Sequence, residues 1–129
     1  MTKFGTWFEN AKKVLDRIQN LDASGDLTGD VTGQVFGTTT TYVADGAIAV
    51  TDTVALLDGS SATVAGTLAA GTSGQVIYIK ALDVSNAVTV VPASFVDGTT
   101  ITFTPANEYA ILVSDGTNWN FVGGDAAIT

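Results

Sequence analysis

The sequence predicts a mainly β protein, in which an antiparallel β-sandwich, jelly-roll-like or small barrel domain follows a short N-terminal α-helical arm. Three observations lead to this fold class. Short segments from residue 38 onward alternate apolar with polar residues and are rich in β-branched and aromatic side chains. Asp-Gly pairs separate several of these segments. Apolar residues with helical spacing occur near the start, so the chain divides into a helix at 1–22, a glycine-rich neck at 23–37 and a β domain at 38–129.

The predicted helix spans residues 7–21. Thr6 and Glu9 form a capping box at its start, and the segment 22–25 ends it. Its apolar residues are spaced alternately three and four apart, as in a coiled coil. This stripe comprises Phe4, Trp7, Ala11, Val14, Ile18 and Leu21, and is widened by Phe8 and Leu15. A helix of this length is marginally stable alone, so we expect it to pack on sister helices, on its own β domain or on another protein.

The neck contains three tandem tetrapeptides at 26–37, each ending in glycine. They read Asp-Leu-Thr-Gly, Asp-Val-Thr-Gly and Gln-Val-Phe-Gly, with Leu27, Val31 and Val35 at equivalent positions. A glycine at every fourth residue opposes both a long helix and a long flat strand. A single copy cannot bury these side chains against itself, so we expect the repeats to stack on neighbours or on other copies of the chain. A flexible linker is the alternative interpretation.

The clearest predicted strands are 76–81, 87–91, 99–104, 108–113 and 117–122, with further candidates at 40–43, 47–51, 54–57 and 62–65. Their alternation directs one set of side chains into a core. That set comprises Ile77, Ile79, Ala81, Val88, Val90, Ile101, Phe103, Trp119 and Phe121. Asp45, Asp58, Asp97 and Asp115 each precede a glycine, and we interpret them as type I′ hairpin-turn residues. A calcium site is the alternative for these acids, although the EF-hand spacing is absent.

The charge of the chain is uneven. Residues 1–17 hold four basic residues against two acids, a balance of +2, whereas residues 18–129 hold one basic residue against eleven acids, a balance of −10. We therefore expect the main body to repel nucleic acid and anionic membranes. The polar start does not resemble a signal peptide, and no apolar run approaches the ~20 residues of a membrane span. These features predict synthesis in the cytoplasm without secretion.

The composition argues against an enzyme. The chain contains no cysteine and no histidine, which excludes disulfides, a thiol nucleophile, a Ser-His-Asp triad and the usual zinc ligands. Neither a P-loop nor a Gly-x-Ser-x-Gly elbow occurs, so we predict no catalytic residue, cofactor or metal. Lys80 is interpreted as a solvent-facing strand charge that discourages edge pairing. A sugar-binding platform of Trp7, Tyr109 and Trp119 is conceivable, but alternation with asparagine favours a core position for Trp119.

Two stretches resemble bacteriophage structural proteins. The Leu-Thr-Gly-Asp-Val-Thr-Gly run within 26–37 resembles the stem repeats of phage tail fibres and other virion appendages. In the C-terminal half, the Asp-Gly-x-x-Trp run at 115–119 and the following Val-Gly-Gly resemble small β domains of phage head and tail proteins. The resemblance implies a virion structural protein that forms a homotrimer, and it carries over no catalytic residue.

We therefore expect a trimeric capsid decoration (cement) or head-fibre protein that is assembled in the host cytoplasm and located in the virion. Its partner would be the major capsid protein or another virion protein, docked through the N-terminal helix while the β domain projects outward. The expected interface residues are Phe4, Trp7, Phe8, Ala11, Val14, Leu15, Ile18, Leu21, Leu27, Val31 and Val35. The alternatives are a short tail-fibre or adhesion tip that binds a host surface glycan, and a carbohydrate-active enzyme, which would need paired acids in a groove.

Overall fold

A computed structural model describes residues 37–129. The predicted helix, the neck up to residue 36 and all the predicted interface residues lie outside the described residues. Within 37–129 the protein is mainly β, and neither a helix nor a closed barrel occurs in this part of the chain. Accordingly, no helix there has the length and apolar character to cross a membrane.

Ten strands form in the described part of the chain. In chain order they are β1 (Thr38–Tyr42), β2 (Gly46–Ile48), β3 (Asp52–Asp58), β4 (Val64–Leu68), β5 (Val76–Asp83), β6 (Val88–Pro92), β7 (Ile101–Phe103), β8 (Tyr109–Ser114), β9 (Trp119–Gly124) and β10 (Ala127–Ile128). They assemble into two five-stranded sheets. The first sheet has the order β1-β3-β5-β8-β9, and the second has the order β10-β7-β6-β4-β2. Their shared core is compatible with the predicted sandwich.

The first six strands form a stack of three rungs, where a rung is one strand of the first sheet followed by one strand of the second. The rungs are β1 with β2, β3 with β4, and β5 with β6, and strands of successive rungs pair in parallel within each sheet. Ala55 pairs with Ile79 and Val64 pairs with Val88, so the third rung follows the second by 24 residues in both sheets. The strands β7 to β10 then pair antiparallel and complete both sheets.

The prediction of purely antiparallel sheets is therefore wrong, because four of the eight strand pairings are parallel. Alternation of side chains determines which face of a strand is buried, but it carries no information on the direction of the neighbouring strand. The connections after β1, β3 and β5 lead into the opposite sheet instead of folding back as hairpins. Each sheet thus receives its next strand one full rung later, in the same direction.

The predicted core positions are largely confirmed. Ile77, Ile79 and Ala81 of the first sheet face Val88, Val90, Ile101 and Phe103 of the second, and all are buried. Trp119 is fully buried, and its indole N–H donates to the carbonyl of Ala69 at 2.8 Å. Phe121 is only partly buried but packs against this core.

Three of the four predicted Asp-Gly hairpins are wrong. Asp45 lies between β1 and β2, and Asp58 ends β3 before the crossing to β4, so both lie where the chain changes sheets. Asp97 lies in the long connection from β6 to β7. Only Asp115 lies in a hairpin, between β8 and β9, where Gly116 has a φ of +97°. Asp115 itself is not in the left-handed region, so this turn is not type I′.

An internal repeat in the sequence marks the rungs and was missed. Leu-Asp-x-Ser occurs at 57–60 and again at 82–85, 25 residues later. Asp58 and Asp83 occupy paired positions on β3 and β5, and an irregularity in register just before Asp58 accounts for 25 residues instead of 24. Each carboxylate accepts a hydrogen bond from the backbone N–H of the serine two residues on, at 3.0 Å and 2.7 Å. The same local turn therefore ends both strands.

Candidate functional site

The first sheet presents a broad apolar surface to solvent. The inward residues of β3, β5 and β8 are buried, so the residues that alternate with them point outward. We define the outer face as the eight outward residues Val54, Leu56, Val76, Tyr78, Lys80, Tyr109, Ile111 and Val113. Seven of the eight are aliphatic or aromatic, in contrast to the polar outward residues expected of a solvated sheet.

Strand register arranges these residues in three rows. Val54 pairs with Tyr78, which pairs with Ile111. A second row consists of Leu56, Lys80 and Tyr109. Val76 and Val113 form the third row. Tyr78 has an exposed fraction of 46% although it lies on the central strand of its sheet, so the surface is accessible at its middle.

Lys80 is the only basic residue of the described part of the chain, and it stands inside this apolar surface. Its neighbours across the sheet are Leu56 and Tyr109, and neither carries a carboxylate. The interpretation of Lys80 as a charge that protects a sheet edge is wrong, because β5 is the third of five strands. Whether a strand is central or at an edge depends on pairings that local sequence does not reveal.

The other side of the domain has a different character. We define the opposite face as the outward residues of the second sheet, Ala47, Ala65, Thr67, Thr89, Val91 and Thr102. These side chains are small or β-branched, and none is aromatic or charged. Val91 has an exposed fraction of 46%, equal to that of Tyr78. The opposite face thus offers a control surface of similar exposure without large apolar groups.

The eight carboxylates of residues 37–129 serve as local hydrogen-bond acceptors. Seven lie in turns or at strand ends and accept from a backbone N–H group. The pairs are Asp45 with Ala65, Asp58 with Ser60, Asp83 with Ser85, Asp97 with Phe121, Glu108 with Thr104, Asp115 with Thr117 and Asp125 with Tyr109. The eighth, Asp52, accepts from two hydroxyl groups. Within 37–129 no three acids lie close enough together to hold a metal ion, so the four Asp-Gly acids do not form a calcium site there.

Acidification should weaken the domain through two of these carboxylates. The pKa of Asp115 is lowered by the backbone N–H groups of Asn118 and Thr117, and that of Asp83 by Ser85. A lowered pKa contributes stability that is present above the ordinary value of about 3.9 and is lost as the pH falls through the lowered value. We expect the Tm to fall below about pH 4. Asp115→Asn keeps an acceptor but does not titrate, so its Tm should fall less steeply. Circular dichroism melts across this range measure both curves, and parallel curves would contradict the role of Asp115.

The aromatic platform considered from the sequence is not formed as predicted. Trp119 has an exposed fraction of 0% and belongs to the core, whereas Tyr109 is exposed on the outer face. The third member, Trp7, lies outside the described residues. No pocket is found in residues 37–129. The outer face is therefore the candidate functional site of the described part of the chain, and it is a surface without a cleft.

Sequence reasoning missed the outer face, although a signal for it was present. The strands β3, β5 and β8 contain Val-Ala-Leu-Leu, Val-Ile-Tyr-Ile and Ala-Ile-Leu-Val, in which consecutive residues are apolar. Such runs occur when both faces of a strand are covered. In the described chain only the inward face is covered. The mismatch between a two-sided apolar pattern and one-sided burial is the signal that identifies this surface.

Comparison with protein-family models finds no match for this chain, and comparison with curated proteins finds none either.

Proposed function

We propose that this chain is a phage virion structural protein, namely a homotrimeric capsid decoration (cement) or head-fibre protein. It would bind the major capsid protein or another virion protein at the capsid exterior. The observation that carries this proposal is the outer face, because a wide apolar surface on a small domain suits assembly with other protein. Binding would rest on burial of apolar area, and no chemical turnover is involved.

Two further features support assembly. The three rungs repeat one structural unit along the stack, and the tetrapeptide repeat at 26–37 resembles those of phage fibre stems. Repetitive β architecture is well suited to rigid, elongated assemblies. The apolar stripe of residues 4–21 and Leu27, Val31 and Val35 of the repeat remain proposed trimer or docking contacts.

Mass spectrometry of purified virions tests the virion proposal. The expected result is that peptides of this chain remain with particles through density-gradient purification. Light scattering of the isolated full chain tests the oligomer, and the expected mass is about three times the 13.2 kDa of one chain. A chain that is absent from washed particles would overturn the virion assignment, and a monomer at all concentrations would overturn the trimer.

A glycan-binding adhesion tip is the second candidate, because two exposed tyrosines lie on the outer face. Tyr78 pairs with Ile111 and Tyr109 pairs with Lys80, so the two rings stand diagonally across neighbouring strands. Such a pair beside an ammonium group could stack on a sugar ring. Tyr78→Ala combined with Tyr109→Ala should then abolish binding to host-surface glycan on an array. If the unaltered chain binds no glycan in that assay, this candidate fails.

A further inference from the structure

We propose that the outer face is the contact surface between copies of this chain, with Lys80 of one copy facing acidic groups of the next. The proposal rests on the homo-oligomer of the proposed function and names its contact, but it does not depend on the virion assignment. It also locates self-association in the β domain, whereas the sequence places it in residues 4–35.

The first argument is area. Five strands about 4.8 Å apart and about five residues long give the outer side of the first sheet roughly 400 Å² of projected area. The largest apolar patch on a typical monomer measures about 300–600 Å² and often marks an interaction site. A standard interface covers about 800 Å² on each partner, of which the centre is the most apolar part. The outer face is therefore suited to form the centre of such an interface, surrounded by polar residues.

The second argument is charge. Residues 37–129 contain eight acids and Lys80, and all eight acids lie in turns, at strand ends or in the interior. Lys80 thus lacks a carboxylate partner in its own cross-strand row. Covering the outer face would remove water from this ammonium group, which is unfavourable unless the covering surface supplies a negative charge. A second copy of this chain, with a formal charge of −8, supplies such a surface on any side that carries its turns.

The position of Lys80 also favours one geometry of contact. A face-to-face dimer with two-fold symmetry would press two copies of the outer face together and bring two lysines into one apolar interface. A head-to-tail contact instead sets the outer face against a different, acidic surface of the neighbour. Head-to-tail contacts that close produce rings, and the smallest ring beyond two copies is a trimer. The cation in the outer face is therefore consistent with three copies and disfavours two.

The test compares two lysine substitutions in the full chain. Tyr78→Lys places a charge at the centre of the outer face, and Val91→Lys places the same charge on the opposite face at equal exposure of 46%. Sedimentation across a dilution series measures association. We expect Tyr78→Lys to weaken association about tenfold or more, as for loss of a central interface aromatic, and Val91→Lys to change it about twofold or less. Equal behaviour of the two variants would overturn the proposal.

A second measurement on the unaltered chain guards against misfolding of a variant. Hydroxyl-radical labelling of Tyr78 and Tyr109 should be strong in dilute monomer and weak in concentrated oligomer. Equal labelling in both states would overturn the proposal, as would a chain that remains monomeric at every concentration. These outcomes are separable from the virion assignment. Particles that lack the chain leave the labelling result intact, and particles that contain it still allow the outer face to fail.

Discussion

Replacing Trp119 with alanine is expected to lower the free energy of unfolding by about 3–5 kcal/mol, the usual cost of deleting a fully buried aromatic side chain. Trp119 belongs to the first sheet, but its indole N–H donates to Ala69, which directly follows β4 of the second sheet. Its backbone N–H also donates to the carbonyl of Ser94 in the connection after β6. Loss of the side chain would leave a cavity and remove a bond that joins the two sheets.

Urea titration followed by far-ultraviolet circular dichroism measures this effect without relying on tryptophan fluorescence. Trp119→Phe should cost less than the alanine variant, since it keeps a ring in the core but leaves the Ala69 carbonyl without its donor. Val122→Ala on the same strand provides the matched control, because Val122 has an exposed fraction of 59%. That control should change stability by no more than about 0.5 kcal/mol. A loss below about 1 kcal/mol for Trp119→Ala would contradict the described core.

Replacing Asp52 with alanine is expected to cost about 2–3 kcal/mol, because two hydroxyl donors would lose their buried acceptor. The Asp52 carboxylate is buried and accepts from Thr40 Oγ1 at 2.9 Å and from the Tyr42 hydroxyl at 2.6 Å. The Tyr42 hydroxyl in turn accepts from the backbone N–H of Ala49 at 2.8 Å. This network ties the first rung to the second, since Thr40 and Tyr42 belong to β1 and Asp52 begins β3.

The control for this variant is Asp58→Ala at the other end of the same strand. Asp58 accepts from one exposed backbone N–H, so its loss should cost less than about 1 kcal/mol. Urea titration of both variants compares the two ends of β3 directly. Equal losses at the two ends would show that the buried network contributes no more than a surface turn.

The same network makes a prediction at alkaline pH. The pKa of Tyr42 is raised, mainly by burial and next by its hydrogen bond to Asp52. A raised pKa contributes stability that is present below the ordinary value of about 10 and is lost as the pH rises through the raised value. Asp52→Asn should lower the pKa of Tyr42 towards that ordinary value. Ultraviolet titration of tyrosinate in the folded protein measures the shift, and an unchanged titration would contradict the pairing.

The class of the described domain and most of its core could be predicted from the sequence, since both depend on local alternation. Ile77 and Ile79 alternate with Val76 and Tyr78, and the first pair is buried as predicted. The candidate site could not be predicted in the same way. Tyr78 and Val76 were recognised as outward residues, but their grouping with residues of β3 and β8 depends on which strands are neighbours.

The sequence by itself determined that residues 38–129 form β-strands, which side chains of the clear strands point inward and where the chain turns. Tertiary structure alone decided that the turns at Asp45 and Asp58 lead into the opposite sheet, so that successive rungs pair in parallel. It also decided that Lys80 lies on a central strand and that Val54, Tyr78 and Ile111 form one row. The physical reason is range. Alternation and turn preference act over a few residues, whereas strand partners are selected by burial and hydrogen bonding among segments more than twenty residues apart.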